Sequence, residues 1–238
     1  MKKILVTGAT GEIGIELVPE LRRLHGNDNV VAGIHRKEPP EEIKKGPYAK
    51  IDVTDYGEIE RVIREYQITH IFHLSSVLSG TAEANPRLAF QVNIVGLDNV
   101  LEAARKNGVI QVVYPSSIAA FGPDTPRDNT PNDTIQRPTT FYGISKVFGE
   151  LYGAIYARKY GLDVRGVRLP GIISPKKKPP EPPDGTTDAF PLMIWNAVIK
   201  GTYESYLSPD TRLPMMYLPD AINALIKLSE APLNKLKH

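Results

Sequence analysis

The sequence predicts an α/β fold, a doubly wound parallel sheet followed by a small, truncated C-terminal substrate lobe. Three observations lead there. Short β-branched runs alternate with longer segments of helical period as far as Leu169. A glycine-rich turn joins the first of these runs to the first helical segment. Beyond Leu169 the composition changes to a polar, proline-dense stretch. The chain has 238 residues, 41% of them hydrophobic, enough for one large domain or one domain with a small lobe. The expected division is 1–170 and 171–238.

The elements follow in order. Residues 3–7 read as a strand. Residues 13–24 read as a helix with Leu17, Leu21 and Leu24 on one face, and Pro19 is expected to kink it or remove a hydrogen bond. A second strand covers 29–34, a helix 58–66 and a buried strand 70–74. A long helix spans 86–106, with Gly108 as its stop. A strand at 110–114, a helix at 141–160 stopped by Gly161, and a strand at 163–169 complete the alternation. Right-handed crossovers put every strand's C-terminal end on one edge, where ligands bind at the reversal of strand order. The run 175–183, Pro-Lys-Lys-Lys-Pro-Pro-Glu-Pro-Pro, suits neither helix nor central strand. It reads as a solvated loop, with a mobile lid as the open alternative. A helix at 188–200, a strand at 213–218 and a last helix at 220–229 form the start of the lobe. There is no internal repeat.

Bulk properties exclude several classes. A formal net charge of +2 gives no strong pull toward nucleic acid or anionic membrane. No apolar run approaches the roughly 20 residues of a membrane span. The N-terminal strand leads straight into the glycine turn, without the h-region and cleavage site of a signal peptide. The chain has no cysteine, so disulfides, thiolate metal sites and cysteine nucleophiles are excluded. No metal is expected, and a cytoplasmic location is the default.

The turn Thr7-Gly8-Ala9-Thr10-Gly11-Glu12-Ile13-Gly14 spaces its glycines G-x-x-G-x-x-G between a strand and a helix. That context separates a dinucleotide cradle from an ordinary turn. Gly8 permits the tight turn, Gly11 lets backbone approach a pyrophosphate, and Gly14 lets the helix pack on the strand. Thr10, Glu12 and Ile13 complete the cradle, and the helix N-terminus aims its N–H groups at the phosphates. A nicotinamide dinucleotide on a Rossmann-type domain is therefore expected. Asp52 and Val53 follow the third strand and are candidates to lie against the adenine. Leu74 and Ser75 end the 70–74 strand, where the cofactor should pass. Each of these pairs reads equally well as ordinary strand-end residues.

Tyr142 and Lys146 stand at i and i+4 and share a helix face. Ser116 and Ser117 follow the 110–114 strand at the ligand edge. A phenol titrates near 10 and is a poor base at neutral pH, but an ammonium held nearby favours the phenolate. With a serine hydroxyl holding the substrate oxygen, the pair can take an alcohol proton while hydride leaves for the nicotinamide. A Tyr-x-x-x-Lys pair alone is a common accident of a helix surface. The ordered set of glycine turn, strand-end serines and Tyr142–Lys146 is not.

With TGATGEIG, IDVTD, HLSS, PSSIAAFG and FYGISK in this order, the chain resembles the extended short-chain dehydrogenases over nearly its whole length. The resemblance implies that Ser117, Tyr142 and Lys146 are catalytic, with Tyr142 and Lys146 also touching cofactor. VRLPGIISP, DGTTDAF and SPDTRLPMMYLPDAI narrow it to the L-threonine 3-dehydrogenase type. This implies oxidation of a threonine hydroxyl to 2-amino-3-oxobutanoate, with Ser79, Ser117, Arg168, Thr186 and Thr187 as substrate contacts. Arg168 suits a carboxylate but reads equally as a strand-end salt bridge, and the threonines equally as helix caps.

Two departures are visible. The chain stops at His238, soon after the PDAI segment, where enzymes of this type continue. NAD-using relatives carry an acid at the end of the second strand, but here the run is Val31-Ala32-Gly33-Ile34-His35-Arg36-Lys37. NADP is therefore expected ahead of NAD, with Arg36 pairing the 2′-phosphate. A solvated basic loop is the plainer reading of Arg36 and Lys37. The competing functions are a nucleotide-sugar epimerase or dehydratase, and a non-catalytic dinucleotide-binding or regulatory module. Relatives commonly form homodimers through helices 86–106 and 141–160; nucleic-acid and membrane partners are not expected.

Overall fold

In the computed structural model, residues 2–174 and 183–236 are described; the run 175–182, read above as loop or lid, lies outside them. The main sheet holds β1 (Ile4–Thr7), β2 (Val30–Ile34), β3 (Tyr48–Lys50), β4 (His70–His73), β5 (Gln111–Ser117) and β6 (Asp163–Leu169). Their order is β3-β2-β1-β4-β5-β6 and every pairing is parallel. The order reverses between β1 and β4, so the ligand crevice of the doubly wound sheet opens there.

Neighbouring residues along the central strands supply opposite faces, which is why both faces are apolar and covered. Leu5, Val31, Ile71 and Val112 face one core, with α3 (Tyr56–Glu65), α6 (Gly96–Lys106) and α7 (Phe141–Tyr160) over it. Ile4, Val6, Val30, Ala32, Phe72 and Val113 face the other, under α1 (Gly14–His25) and α9 (Leu218–Glu230). The helix ends follow the chemistry of their caps. Asp55 accepts from the backbone of Gly57 and Glu58 at the start of α3, and Gly161, at φ +72°, ends α7.

Several details differ from the sequence reading. β5 runs on through Pro115, Ser116 and Ser117, which pair with Val167, Arg168 and Leu169 of β6. The serines are thus in the strand, not after it. The 86–106 helix comprises α5 (Pro86–Ala89), a π-helical turn at Phe90–Val95, and α6. Pro19 lies inside α1 as expected and, lacking an N–H, gives the helix one hydrogen bond fewer. Two short helices were not expected, α2 (Glu41–Lys44) and α4 (Ser79–Ala84).

Beyond residue 170, β7 (Gly171–Ile173) and β8 (Met215–Tyr217) form a separate two-stranded parallel sheet, with α8 (Ala189–Lys200) between them in sequence. α9 packs Leu218, Ile222, Leu225 and Ile226 into the same core as β1 and β4, so this last helix belongs to the main body. Among the described residues no helix is long and apolar enough to cross a membrane.

Candidate active site

The glycine turn sits at the reversal of strand order. Gly8 has φ +68°, and a Cβ there would lie 2.8 Å from the Ser75 nitrogen and 2.9 Å from the Leu74 carbonyl carbon. The β1 turn and the end of β4 are thus in direct contact, which places Leu74 and Ser75 beside the cradle. A Cβ on Gly14 would meet the Gly8 oxygen at 2.5 Å, so α1 rides tightly on the turn. Gly11 N–H donates to the Gly8 carbonyl at 2.9 Å, and Thr10, Glu12 and Ile13 complete the bend before α1. With three glycines in the seven residues up to the helix N-terminus, this turn fits the pyrophosphate of a dinucleotide.

At the neighbouring strand ends, Ile34 is buried in the core at the end of β2. Asp52 follows β3, and both its oxygens are engaged. Oδ1 accepts from the Thr54 amide and hydroxyl at 2.9 and 2.8 Å, and Oδ2 lies 3.2 Å from His35 Nε2. Burial works to raise the Asp52 carboxyl, but the Thr54 bonds and the charges of His35 and Arg36 outweigh it and hold it below its ordinary value. Val53 turns inward: it is buried and packs against Gly96 of α6, while its carbonyl accepts from Asn99.

Tyr142 is the second residue of α7 and Lys146 lies one turn on. Lys146 is buried; its Nζ donates to the Pro115 carbonyl at 2.9 Å and stands 5.1 Å from the Tyr142 ring centre. Ser117 Oγ accepts from the Ala119 amide at 3.1 Å, turning the chain directly after β5. That turn presses on the first turn of α7, because a Cβ at Gly143 would lie only 2.2 Å from the Ala119 oxygen. The turn after Ser117 and the first turn of α7, which carries Tyr142, thus meet at the C-terminal end of β5. The α7 N-terminus is held by Thr140, which accepts from Gly143, and by Glu83, whose Oε1 accepts from Phe141 and Tyr142.

A small cavity beside Lys146 is lined by His73, Ser75, Asn93, Tyr114 and Ser145 among others. Asn93 lies in the π-helical turn; its Oδ1 accepts from the Val77 N–H, and its Nδ2 donates to the Val77 carbonyl and to Ser145 Oγ at 3.3 Å. His73 shares a hydrogen bond with Thr7 Oγ1 at 2.8 Å, and burial, with the Lys146 charge adding to it, pushes its imidazole down to about 3. It is neutral at any working pH. Sequence reasoning missed Glu83 and Asn93 as parts of this site. A π-helical turn in a long helix at the ligand edge is a signal seen only in the folded chain.

The expected substrate contacts separate into two groups. Ser79 opens α4 next to the 184–187 turn: Asp184 Oδ1 accepts from the Thr81 amide and hydroxyl, and the nearest side-chain atom to a Cβ at Gly185 would be Ser79 Cβ, 3.9 Å away. Thr186 and Thr187 form the 3-10 turn before α8, whose N-cap is Asp188, so neither threonine caps that helix. Arg168 is committed elsewhere. Its Nε and Nη2 donate to Glu150 at 2.8 and 2.6 Å, Nη1 donates to the Asn132 carbonyl, and the guanidinium stacks 5.1 Å over Phe121. That geometry is the strand-end salt bridge. Burial works to raise Glu150, but the bonds from Arg168, Ser116 and Gln136 prevail and keep it ionised below the usual range.

The sequence profile described as the NAD dependent epimerase/dehydratase family matches residues 4–237. An uncharacterised epimerase/dehydratase of Staphylococcus saprophyticus is 47% identical over 232 residues, covering 97% of this chain and 71% of its own. The L-threonine dehydrogenase of Clostridium difficile superposes with a TM-score of 0.93 at 43% identity, over 100% of this chain and 74% of its own. A monomeric L-threonine 3-dehydrogenase from a metagenome superposes with a TM-score of 0.92 at 44% identity, over 99% and 74%. At the level of sequence and of backbone alike, the chain belongs to the NAD-dependent epimerase/dehydratase family.

Proposed function

We propose that this enzyme oxidises the hydroxyl of L-threonine, or of a similarly small 3-hydroxy amino acid, to the ketone. The observation that supports the reading is Lys146, buried 5.1 Å from the Tyr142 ring centre and bonded to the Pro115 carbonyl two residues before Ser117. When bound, the nicotinamide supplies the hydride acceptor. Ser117 Oγ holds the substrate oxygen, and Tyr142 takes the hydroxyl proton as general base. Lys146 is fixed by the Pro115 carbonyl with its Nζ 5.1 Å from the Tyr142 ring centre. Ser79, Thr186 and Thr187 supply hydroxyls suited to a small polar substrate; Arg168 has no role as its carboxylate anchor in this reading. The likeness to solved L-threonine dehydrogenases supports the choice of substrate.

NADP is the proposed preference over NAD. Ile34 can neither accept from a ribose hydroxyl nor repel a 2′-phosphate, the nearby Asp52 is occupied, and Arg36, whose charge reaches Asp52, is the proposed partner of the phosphate. A homodimer through α7 is supported by Ile144, Leu151 and Ile155, which form an exposed apolar stripe at 50%, 62% and 40% exposure. The test of the substrate is cofactor reduction by the purified chain with L-threonine, other 3-hydroxy acids and UDP-sugars. Threonine-dependent reduction is expected. Turnover of a UDP-sugar without threonine turnover moves the assignment to the epimerases, and cofactor binding without any turnover to a regulatory module.

A further inference from the structure

We propose that Glu150 is a positioning residue of the active site, which through Ser116 and Arg168 fixes the strand end carrying Ser117 against the catalytic helix. The inference rests on the Ser117–Tyr142–Lys146 reading above. Tyr142, Lys146 and Glu150 follow one another at steps of four along α7 and so share one face. Consecutive residues of β5 meet that face. The Pro115 carbonyl accepts from Lys146, the Ser116 hydroxyl donates to Glu150 Oε1, and Ser117 comes next.

Four donor groups converge on the Glu150 carboxylate. Besides Ser116, Arg168 spans both its oxygens through Nε and Nη2, and Gln136 Nε2 donates to Oε2 at 2.8 Å. Arg168 is the register partner of Ser116 across β5 and β6. Its remaining contacts, with the Asn132 carbonyl and the Phe121 ring, reach the segment that follows Ser117. One carboxylate thus ties α7, β5, β6 and the loop after the catalytic serine.

Net stability is a poor explanation for this arrangement. Glu150 and Arg168 have side chains only 18% and 24% exposed, and such a pair gains little over an apolar one once desolvation is counted. Apolar packing, however, tolerates sliding, whereas directional bonds specify register. Proton transfer demands register: a misplacement of about 1 Å costs on the order of 10²-fold in rate. β4 pairs with β5 only as far as Val113, so this stretch of β5 has β6 alone as a neighbouring strand to hold it. The side-chain bonds from α7 supply what the ladder lacks.

The experiment uses Ser116→Ala, which removes one hydroxyl without stranding a charge, and Glu150→Gln, which discharges the carboxylate while keeping its shape. Each is made alone and combined with Ser117→Ala. Cofactor affinity should be unchanged. kcat should fall ~10- to 10²-fold with little change in the KM for substrate, and each loss should be less than additive with Ser117→Ala. Amide hydrogen exchange at Ala119, whose N–H is bonded to Ser117 Oγ, should accelerate in both variants. Wild-type kcat in both variants, full additivity with Ser117→Ala, or unaltered exchange at Ala119 overturns the proposal. If Glu150→Gln does not fold, Ser116→Ala alone decides. A wild-type enzyme that turns over no 3-hydroxy amino acid sinks the functional reading instead, and the exchange measurement still decides the positioning.

Discussion

Replacing Gly143 by alanine separates catalytic geometry from stability. The added Cβ would stand 2.2 Å from the Ala119 oxygen, 2.6 Å from Pro138 Cβ and 3.0 Å from the Thr140 hydroxyl that caps α7. The first clash is with backbone and is not relieved by a rotamer change. Restoring van der Waals contact requires the turn after Ser117 to retreat from α7 by about 1 Å, and a displacement of that size costs on the order of 10²-fold in rate. Overpacking costs about 1–3 kcal/mol, while alanine in a helix gains up to ~1 kcal/mol over glycine. The two partly cancel, and each remaining kcal/mol moves Tm by roughly 2–4 °C for a chain of this size. The expected outcome is a fold only slightly weakened, cofactor titration unchanged, and turnover reduced ~10²-fold. Wild-type turnover would refute the argument that the Ser117 turn and Tyr142 are held together at this contact.

Arg36→Ala should weaken NADP about tenfold, or 1.4 kcal/mol, and leave NAD nearly unchanged in paired titrations; an unchanged ratio would remove the proposed phosphate contact. Burial pushes His70 down to about 4 and His73 to about 3, from 6.5. The unfolded chain therefore binds more protons below 6.5, and stability falls as pH drops from 6.5 toward those values, by up to ~1.4 kcal/mol per unit for each histidine. Denaturant titrations at pH 7 and pH 5 should show this loss, and equal stabilities at the two would contradict the burial argument. Leu151→Glu should convert a dimer to monomer in sedimentation; a wild type that is monomeric at high concentration would end the dimer reading.

What the sequence revealed was local. The alternation of Ile4, Leu5 and Val6 between two cores, the glycine turn, and the four-residue step from Tyr142 to Lys146 all follow from short-range periodicity. What escaped depends on partners distant in sequence. Pro115 reads as the end of a strand, yet β5 continues through it because β4 pairs only as far as Val113, leaving that side of β5 open where a missing N–H is tolerated. Arg168 has the chemistry of a carboxylate anchor, and the carboxylate it meets is Glu150, 18 positions away on another element. Nothing near Asn93 in sequence announces a π-helical turn, and nothing near Val53 announces Gly96 of α6 packed on it.

The account stands on Tyr142 as the base of an alcohol oxidation, and Tyr142→Phe tests it most directly because only a hydroxyl is removed. Initial rates of threonine-dependent cofactor reduction should be measured on wild type and variant, each first shown to bind cofactor. The expected result is unchanged cofactor affinity with turnover lower by at least ~10². A Tyr142→Phe enzyme that reduces cofactor at near the wild-type rate would contradict the account.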